Sequence, residues 1–396
     1  MPVFSLAPYR VLLRAPGTLR LVSGALLGRM SAGMGGLALL LLVQSSSGSF
    51  ALAGAVVGAY TIATSLFGPV QGRVIDRYGQ TWVLVGSGGV HAVALVWLGL
   101  AGPGTGGLVG GAVLAGMARP PVAPAMRALW SRLADGPSLQ TAYALESTSQ
   151  ELVFVTGPLL VAVLVSVASP AVAIVVTAGL TLAGTLVFAT SPVSRAWRGA
   201  ERARDWAGPL RSRGFRTLVV VQPLVAVSIG ALEVAVAAFA TGNGSRGAAG
   251  VLLAVWSGGS LAGGLLAGAR HWRGPVERRY LALLLAFLAA MAALLVARSN
   301  LDLGVLIVLA GLPFAPWIAC VYLLADRLAP PGTVTEAFTW VMTAFTAGLS
   351  AGSSLAGLLI DGAGVRAAFL AAVAAGVLAV GVTLLRRHTL VASPAG

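Results

Sequence analysis

Apolar stretches of about 20 residues, the length that crosses a bilayer as an α-helix, recur along the whole sequence. We number twelve of them as spans 1 to 12. They lie at residues 20–43, 50–70, 81–101, 105–129, 141–168, 170–192, 217–240, 247–268, 279–298, 302–325, 335–360 and 366–385. The pattern predicts an all-α integral membrane protein with twelve transmembrane helices.

The composition supports this prediction. Of the 396 residues, 57% are hydrophobic and only 10% are charged, and the mean hydropathy is +0.90. A soluble protein of this size would carry many more charged residues on its surface. The formal net charge of +14 would indicate nucleic-acid binding in a soluble domain, so it has to be compared first with the membrane topology.

The arginines, which account for all 26 basic residues, are distributed unequally between the two sides of the predicted membrane protein. The side that holds both chain termini carries 21 of them, whereas the opposite side carries only Arg246, Arg298 and Arg366. Cytoplasmic loops accumulate Arg and Lys. We therefore expect a multi-pass protein of the plasma membrane with both termini in the cytoplasm, and the topology accounts for the charge without nucleic acid.

A polar segment at residues 194–216, with seven arginines, divides the chain into similar halves. At an offset of 196 residues, Tyr60, Gly68, Gly72 and Arg77 correspond to Trp256, Gly264, Gly268 and Arg273. Halves with an even number of helices form parallel repeats related by an axis along the membrane normal. We predict a six-helix bundle at 1–193, a cytoplasmic linker at 194–216, a second bundle at 217–396 and a path between the bundles.

The most distinctive polar segment, Gly68–Gly79, lies between spans 2 and 3. Its residue types have the spacing Gly72-Arg73-x-x-Asp76-Arg77-x-Gly79. Charges this close together between two apolar spans must face water, and glycines permit close approach and sharp turns. From the residues alone, the plain interpretation of the segment is a short polar hairpin loop between two membrane helices.

With its position after the second span, this segment resembles the signature loop of the major facilitator superfamily. The resemblance covers nearly the whole chain and implies two bundles related by pseudo-two-fold symmetry. It also implies that the segment is a cytoplasmic gate: Asp76 binds the start of span 11 together with a nearby arginine, for which Arg127 is the candidate, and locks the cytoplasmic side when the path opens outward. Glu336, at the same helix start, would repel Asp76 unless Arg73 or Arg77 lies between them.

Parts of the sequence depart from the family pattern. The loop continues with Gln80-Thr81 where the family has basic residues, and its second copy has Trp272 where the acid would be. Arg119 lies where the family often carries an intramembrane arginine linked to proton transfer. Gly157-Pro158 resembles the core of the span 5 motif of family antiporters, although the flanking glycines of that motif are largely replaced.

Ionisable side chains within predicted spans are costly and therefore candidates for function. They are Arg29 in span 1, Arg119 in span 4, Glu146 and Glu151 in span 5, and Glu233 in span 7. We expect Glu151 to pair with Arg119 and to be the proton-linked acid, with Glu233 as a second. Glu146 is expected to be a gate residue or a partner of Arg127. The alternative is a static ion pair that holds spans 1, 4 and 5 together.

Two further patterns bear on span 4 and on the substrate. Pro120, Pro121 and Pro124 are expected to kink span 4 next to the path. Aromatic residues are frequent in spans 8, 10 and 11, and those that face the path would form an apolar wall. With few charges in the path, this favours a lipophilic or amphipathic molecule over a sugar.

Together these features predict a secondary transporter that works by alternating access, with proton-coupled export as the first hypothesis. Uptake or facilitated diffusion of a metabolite is the alternative, and an integral membrane enzyme is a remote one. The sequence has three scattered His and a single Cys, and no metal-ligand spacing. We expect no catalytic residue, metal or cofactor, a small-molecule substrate, contact with lipid, and a monomer driven by the proton gradient.

Overall fold

The computed structural model describes residues 7–101, 104–197, 207–243, 246–270, 272 and 274–391, and the secondary structure assigned in these ranges is helical. The membrane helices are Thr18–Gly28 with Met30–Ser47 (span 1), Phe50–Tyr78 (span 2), Gln80–Ala101 (span 3), Thr105–Met117 with Val122–Leu133 (span 4), Gly136–Val167 (span 5), Pro170–Ala189 (span 6), Arg213–Gly242 (span 7), Arg246–Ala269 (span 8), Val276–Ala293 (span 9), Asn300–Gly311 with Phe314–Leu328 (span 10), Val334–Ala363 (span 11) and Val365–Leu385 (span 12). Short helices occur at Ala7–Arg14, Pro192–Arg195, Gly208–Arg211, Leu294–Val296 and Arg387–Leu390. Residues 198–206 of the predicted linker and Arg273 lie outside the described residues.

The all-α fold with twelve membrane helices is confirmed. Among the described residues, eleven segments are long and apolar enough to cross a membrane as one helix or as two consecutive pieces. The twelfth is span 4, whose two pieces are separated at residues 118–121. Proline has no N–H to donate and its ring clashes with the preceding turn. The expected kink at Pro120 and Pro121 is therefore a complete break of the helix.

Span 2 is longer than its apolar stretch. The helix continues to Tyr78, and Gly79, with a φ of +96°, ends it. Arg73, Asp76 and Arg77 thus lie in the last turns of a helix, and the expectation that they belong to a loop is wrong. Residues three or four apart on a helix are neighbours, so Arg73 lies beside both Asp76 and Arg77. Asp76 is buried, Arg73 is partly buried and Arg77 is exposed.

The bundles contact each other through span 2 packed along span 11 and span 5 packed along span 8. We call the end of the bundles that holds Ala7–Arg14, the turn at Gly79 and Arg387–Leu390 the terminal face. Gln80, where the family pattern has a basic residue, is buried there. It donates a hydrogen bond to the Ala125 carbonyl oxygen (3.1 Å) and accepts one from Ser194 (3.2 Å). Gln80 therefore ties span 3 to span 4 and to the start of the linker.

Candidate functional site

At the terminal face, span 2 of the first bundle meets the start of span 11 in the second. The Asp76 carboxylate is buried there and accepts hydrogen bonds from the backbone N–H groups of Thr335 (3.1 Å) and Glu336 (2.8 Å). The first N–H groups of a helix have no partner within it. Thr333, which precedes span 11, provides no side-chain cap. Asp76 therefore caps a helix of the opposite bundle, and its expected contact with span 11 is confirmed.

A second contact neutralises the buried carboxylate of Glu336. Arg73 Nη2 lies 2.5 Å from Glu336 Oε1, and Arg73 Nε donates to Oε2 at 3.2 Å. Such paired hydrogen bonds between a guanidinium and a carboxylate are directional and strong. Arg73 thus acts as the expected intermediary that allows Glu336 to lie beside Asp76. Arg77 instead stacks on the exposed ring of Tyr78, 5.1 Å from its centroid.

The close approach of spans 2 and 11 depends on Gly72. A Cβ atom at this position would lie 2.9 Å from Glu336 Cα and 2.8 Å from Thr339 Oγ1, closer than real Cβ atoms are found. We call the contact between Gly72, Arg73 and Asp76 on span 2 and Thr335 and Glu336 on span 11 the terminal latch. Its role as a gate stays a prediction.

Arg127 does not take part in the terminal latch, so the expectation that it is a partner of Asp76 is wrong. It is fully buried among spans 4, 5 and 10, and its Nε lies 3.5 Å from Glu146 Oε1. This contact confirms the other expectation, that Glu146 is a partner of Arg127. The same carboxylate oxygen lies 2.9 Å from Arg29 Nη2. We call Arg29, Arg127 and Glu146 the buried charge cluster.

The break in span 1 positions Arg29 in this cluster. The helix ends at Gly28 and begins again at Met30, and Arg29 between them has φ −101° and ψ 6°. Its Nε donates a hydrogen bond to the Ala25 carbonyl oxygen at 3.0 Å. This irregular turn projects the guanidinium into the bundle next to Glu146.

Three aromatic rings close the space between the bundles near the cluster. Tyr143 of span 5 lies 6.0 Å from both Tyr322 of span 10 and Phe338 of span 11, measured between ring centroids. All three side chains are buried. The Arg127 guanidinium lies 4.1 Å from the centre of the Tyr322 ring, a cation–π contact across the two bundles. Tyr322 and Phe338, expected as part of an apolar path wall, thus form a plug at the terminal face.

Glu151 lies near the middle of span 5 on its surface toward the second bundle. It is placed beside Ser260 of span 8 and within electrostatic range of Glu233 of span 7. The Ser260 hydroxyl is buried and has no hydrogen-bond partner among the described residues. We call Glu151 and Glu233 the carboxylate pair.

The expected ion pair between Glu151 and Arg119 is wrong: in the described part of the chain these residues form no salt bridge. Arg119 lies in the proline break of span 4, and its charge acts on Tyr60 of span 2 and His91 of span 3. The break rotates Arg119 away from span 5. The position of Arg119 along the helix therefore indicated its depth in the membrane but not the direction of its side chain.

Gly157 and Pro158, the expected motif of span 5, lie inside a continuous helix. A Cβ atom on Gly157 would lie 2.6 Å from the Gly33 carbonyl carbon of span 1. The backbones of spans 1 and 5 therefore touch at this point. This contact accounts for the glycine by packing, and a role of the motif in antiport stays a prediction.

The second interface at the terminal face, between spans 5 and 8, includes the helix Ala7–Arg14. The Tyr9 hydroxyl donates to the carbonyl oxygens of Gly264 (3.4 Å) and Leu265 (3.2 Å). Burial raises the pKa of Tyr9 to about 12, so the hydroxyl keeps its proton at physiological pH. Thr141 adds a hydrogen bond to the Gly268 carbonyl oxygen at 3.2 Å. The hydrogen bonds that Tyr9 and Thr141 make to the second copy of the signature segment are thus both donated by neutral groups, and Arg279 of span 9 adds one to Gln140 of span 5 at 3.0 Å.

Replacing Tyr9 by Phe removes this donor and leaves the ring. We expect Tyr9→Phe to loosen the terminal face by about 1 kcal/mol, the usual net value of one hydrogen bond. The readout is a severalfold faster reaction of an introduced cysteine, Ala144→Cys, with a maleimide. Tyr78→Phe, which changes an exposed tyrosine at the same face, is the matched control, and an unchanged rate in Tyr9→Phe would contradict the latching role of Tyr9.

Residues 21–343, most of the chain, match the family profile of the Major Facilitator Superfamily. The chain belongs to the Major Facilitator Superfamily. No curated protein matched the sequence. As members of this superfamily are transporters, the protein is a membrane transporter of small molecules that works by alternating access, and not an enzyme.

Solved structures of superfamily members share the fold. The human organic anion transporter MFSD10 is 18% identical with a TM-score of 0.73, and the match covers 93% of this chain and 99% of that one. A bacterial homologue of the iron transporter ferroportin, in an outward-facing state, is 16% identical with a TM-score of 0.74, covering 93% and 99%. The E. coli fucose:proton symporter FucP is 14% identical with a TM-score of 0.74, covering 93% and 98%. At these identities the likeness shows the fold alone.

Proposed function

We propose that this superfamily member exports a lipophilic or amphipathic small molecule in exchange for protons. The observation that carries the proposal is the carboxylate pair, because Glu151 and Glu233 lie within spans 5 and 7 of opposite bundles, with Glu233 in electrostatic range of Glu151. Two ionised carboxylates repel each other, and a proton taken up by either relieves the repulsion. A change in the distance between the bundles would therefore change the affinity of the carboxylate pair for protons.

Two features support alternating access controlled at the terminal face. The terminal latch and the aromatic plug both join the first bundle to the second, so both must separate when that face opens. In the same proposal the terminal face is cytoplasmic and the membrane is the plasma membrane, since the arginine excess lies on the side of both termini. The proton gradient supplies the energy without a cofactor, and one chain contains both bundles and thus acts as a monomer.

The first test identifies substrate and direction. Accumulation of a panel of drugs and metabolites is compared in cells with the wild-type protein and with the Asp76→Asn variant, with and without a protonophore. Lower accumulation with the wild-type protein, reversed by the protonophore, is the expected result. Higher accumulation would support the alternative of uptake, and a difference that the protonophore leaves unchanged would contradict proton coupling.

The second test addresses the carboxylate pair. In vesicles loaded with the identified substrate, Glu151→Gln is expected to reduce transport driven by a pH gradient about tenfold or more, since the proton site is lost. Glu233→Gln is expected to reduce it to a smaller extent. Downhill exchange of substrate should persist in both variants.

The matched control is Glu277→Gln, which removes an acid in the first turn of span 9, away from the carboxylate pair. It should transport like the wild type. Undiminished proton coupling in Glu151→Gln would show that Glu151 only packs between the bundles, and the proposal would then fail.

A further inference from the structure

The buried charge cluster contains more positive than negative charge. Arg29, Arg127 and Glu146 are 4%, 0% and 3% exposed, respectively, so two guanidinium groups share one carboxylate away from water. The other acid of this region, Asp326 of span 10, lies beside Tyr143 and Ser131 and forms no ion pair with either arginine in the described part of the chain. A buried charge without a partner is costly, so one positive charge of the cluster lacks compensation.

The uncompensated charge belongs mainly to Arg127. Glu146 is closer to Arg29, at 2.9 Å, than to Arg127, at 3.5 Å. Arg127 Nη2 donates to the neutral Gln150 side chain at 3.3 Å, and its remaining side-chain nitrogens have no hydrogen-bond partner among the described residues. Arg29 Nη1 and Trp130 Nε1 are likewise buried without a partner. All of these atoms are donors, and an anion would satisfy them.

A small interior cavity adjoins the cluster. Arg29, Trp130, Glu146 and Ser149 line it, and apolar side chains of spans 1, 4 and 5 close the remainder. In this closed state the cavity is too narrow for a water molecule. The cavity lies within the first bundle and Arg127 is not among its lining residues, so it marks loose packing on the Arg29 side of the cluster, where charged donors lie beside an apolar wall.

The second bundle covers the cluster. The Tyr322 ring lies over the Arg127 guanidinium, and Tyr322 belongs to span 10, whereas Arg127 belongs to span 4. The electron-rich face of an aromatic ring partly compensates a cation. When the bundles separate at the terminal face, Tyr322 leaves with the second bundle and Arg127 meets water. The aromatic ring and an incoming anion thus compete for the same guanidinium.

We infer that Arg127 and Arg29 form a binding site for the anionic group, such as a carboxylate, of an amphipathic substrate that enters from the terminal face. The inference rests on the proposed function, because it names the chemical class of the exported molecule. Glu146 keeps Arg29 in place, Arg127 binds the anion, and Tyr322 takes the place of the anion after its release.

The test measures binding to the purified full-length protein in lipid nanodiscs, without any gradient. Three matched pairs of probes are used: benzoate and benzamide, 2-naphthoate and 2-naphthamide, and decanoate and decanamide. The members of a pair share their apolar part and differ in charge. We expect at least one acid to bind about tenfold more tightly than its amide, which corresponds to one charge-assisted contact.

Three variants test the residues. Arg127→Gln should abolish the preference for the acid. Tyr322→Leu should increase the affinity for the acid, because the competing ring is absent. Glu146→Gln should bind the acid more tightly than the wild type, because two positive charges are then free. The matched control Arg20→Gln, at an exposed position of span 1, should bind like the wild type.

The gain of affinity in Tyr322→Leu, which leaves all three charged side chains of the cluster in place, keeps the test decisive if Arg127→Gln or Glu146→Gln does not fold. Equal affinity for acid and amide in all three pairs, or an unchanged preference in Tyr322→Leu and Glu146→Gln, would overturn the inference. Displacement by sodium chloride alone, with no preference for any organic acid, would assign the site to an inorganic anion and would also overturn it.

Failure of this inference is separable from failure of the proposed function. Selective binding of acids without gradient-driven transport would leave the site intact and contradict export. Proton-coupled export of neutral compounds, with no preference for acids, would contradict the anion site and leave the proposed function intact.

Discussion

Asp76→Asn is expected to abolish net transport while substrate binding persists. The carboxylate accepts two backbone N–H groups of span 11, whereas an amide has only one oxygen and places its own donors against an N–H. The loss of charge also removes the favourable interaction with the positive end of the helix. Because a hydrogen bond to a charged group contributes about 1.5–3 kcal/mol, the closed terminal face should become about tenfold or more less populated.

The measurement combines transport in vesicles with labelling of a single cysteine. The only native cysteine, Cys320, is replaced by serine, and Ala144→Cys is introduced at a buried position against Gly268. Maleimide labelling at this position should increase in Asp76→Asn. Asp135→Asn, which removes an exposed acid ahead of span 5, is the matched control. Preserved transport together with unchanged labelling would refute the latch.

Glu146→Leu should destabilise the folded protein by about 3–5 kcal/mol, the usual cost of removing one partner from a buried ion pair. The change would leave the guanidinium groups of Arg29 and Arg127 buried and without a counter-charge. The free energy of unfolding is measured by titration with SDS in mixed micelles. Asp361→Leu, at the exposed opposite end of span 11, should change it by much less.

The double variant Arg29→Met with Glu146→Leu separates charge from packing. It removes one charge of each sign and should recover part of the stability that Glu146→Leu loses. Equal stability of Glu146→Leu and the wild type would mean that the cluster is hydrated or mobile, which would contradict its description as buried.

The helices and the position of the terminal latch could be predicted from the sequence. Apolar length identifies a membrane helix because each backbone polar group in lipid must be paired within the helix. The latch could be placed because Asp76 and Glu336 end and begin helices on the same side, and because the resemblance to the superfamily implies that span 2 meets span 11. The repulsion between those two carboxylates predicted an arginine between them, Arg73 or Arg77, and the structure shows that it is Arg73.

The partners of the intramembrane charges could be predicted only in part. The order of residues along a helix gives their depth, whereas the direction of a side chain depends on the rotation of the helix. The breaks at Arg29 and at Pro120-Pro121 change that rotation locally, so Arg29 reaches Glu146 and Arg119 turns away from Glu151. An ion pair that joins spans 1, 4 and 5 was one of the two alternatives, and Arg127 was an expected partner of Glu146, but the sharing of this one carboxylate by two arginines was not predicted.

Tyr9 was missed because it precedes the first span. The available signal was the spacing of Tyr9 and Leu12, which places two apolar side chains on one face of a short helix otherwise rich in arginine. The glycines at 264 and 268 had already indicated a close approach to span 8. The side chain that packs against these glycines depends on the path of the chain before span 1, and no local sequence pattern determines that path.

The difference between the two interfaces at the terminal face determines the direction in which the bundles would part. Ions in solution weaken contacts between charges and leave contacts between neutral groups almost unchanged. The Arg73 side chain is 43% exposed, so salt reaches the ion pair at the edge formed by spans 2 and 11. At the edge of spans 5 and 8, Tyr9 and Thr141 are neutral and Arg279 donates to the neutral Gln140, so the described residues form no ion pair there. Separation would therefore start at the edge of spans 2 and 11, and the edge of spans 5 and 8 would part after it.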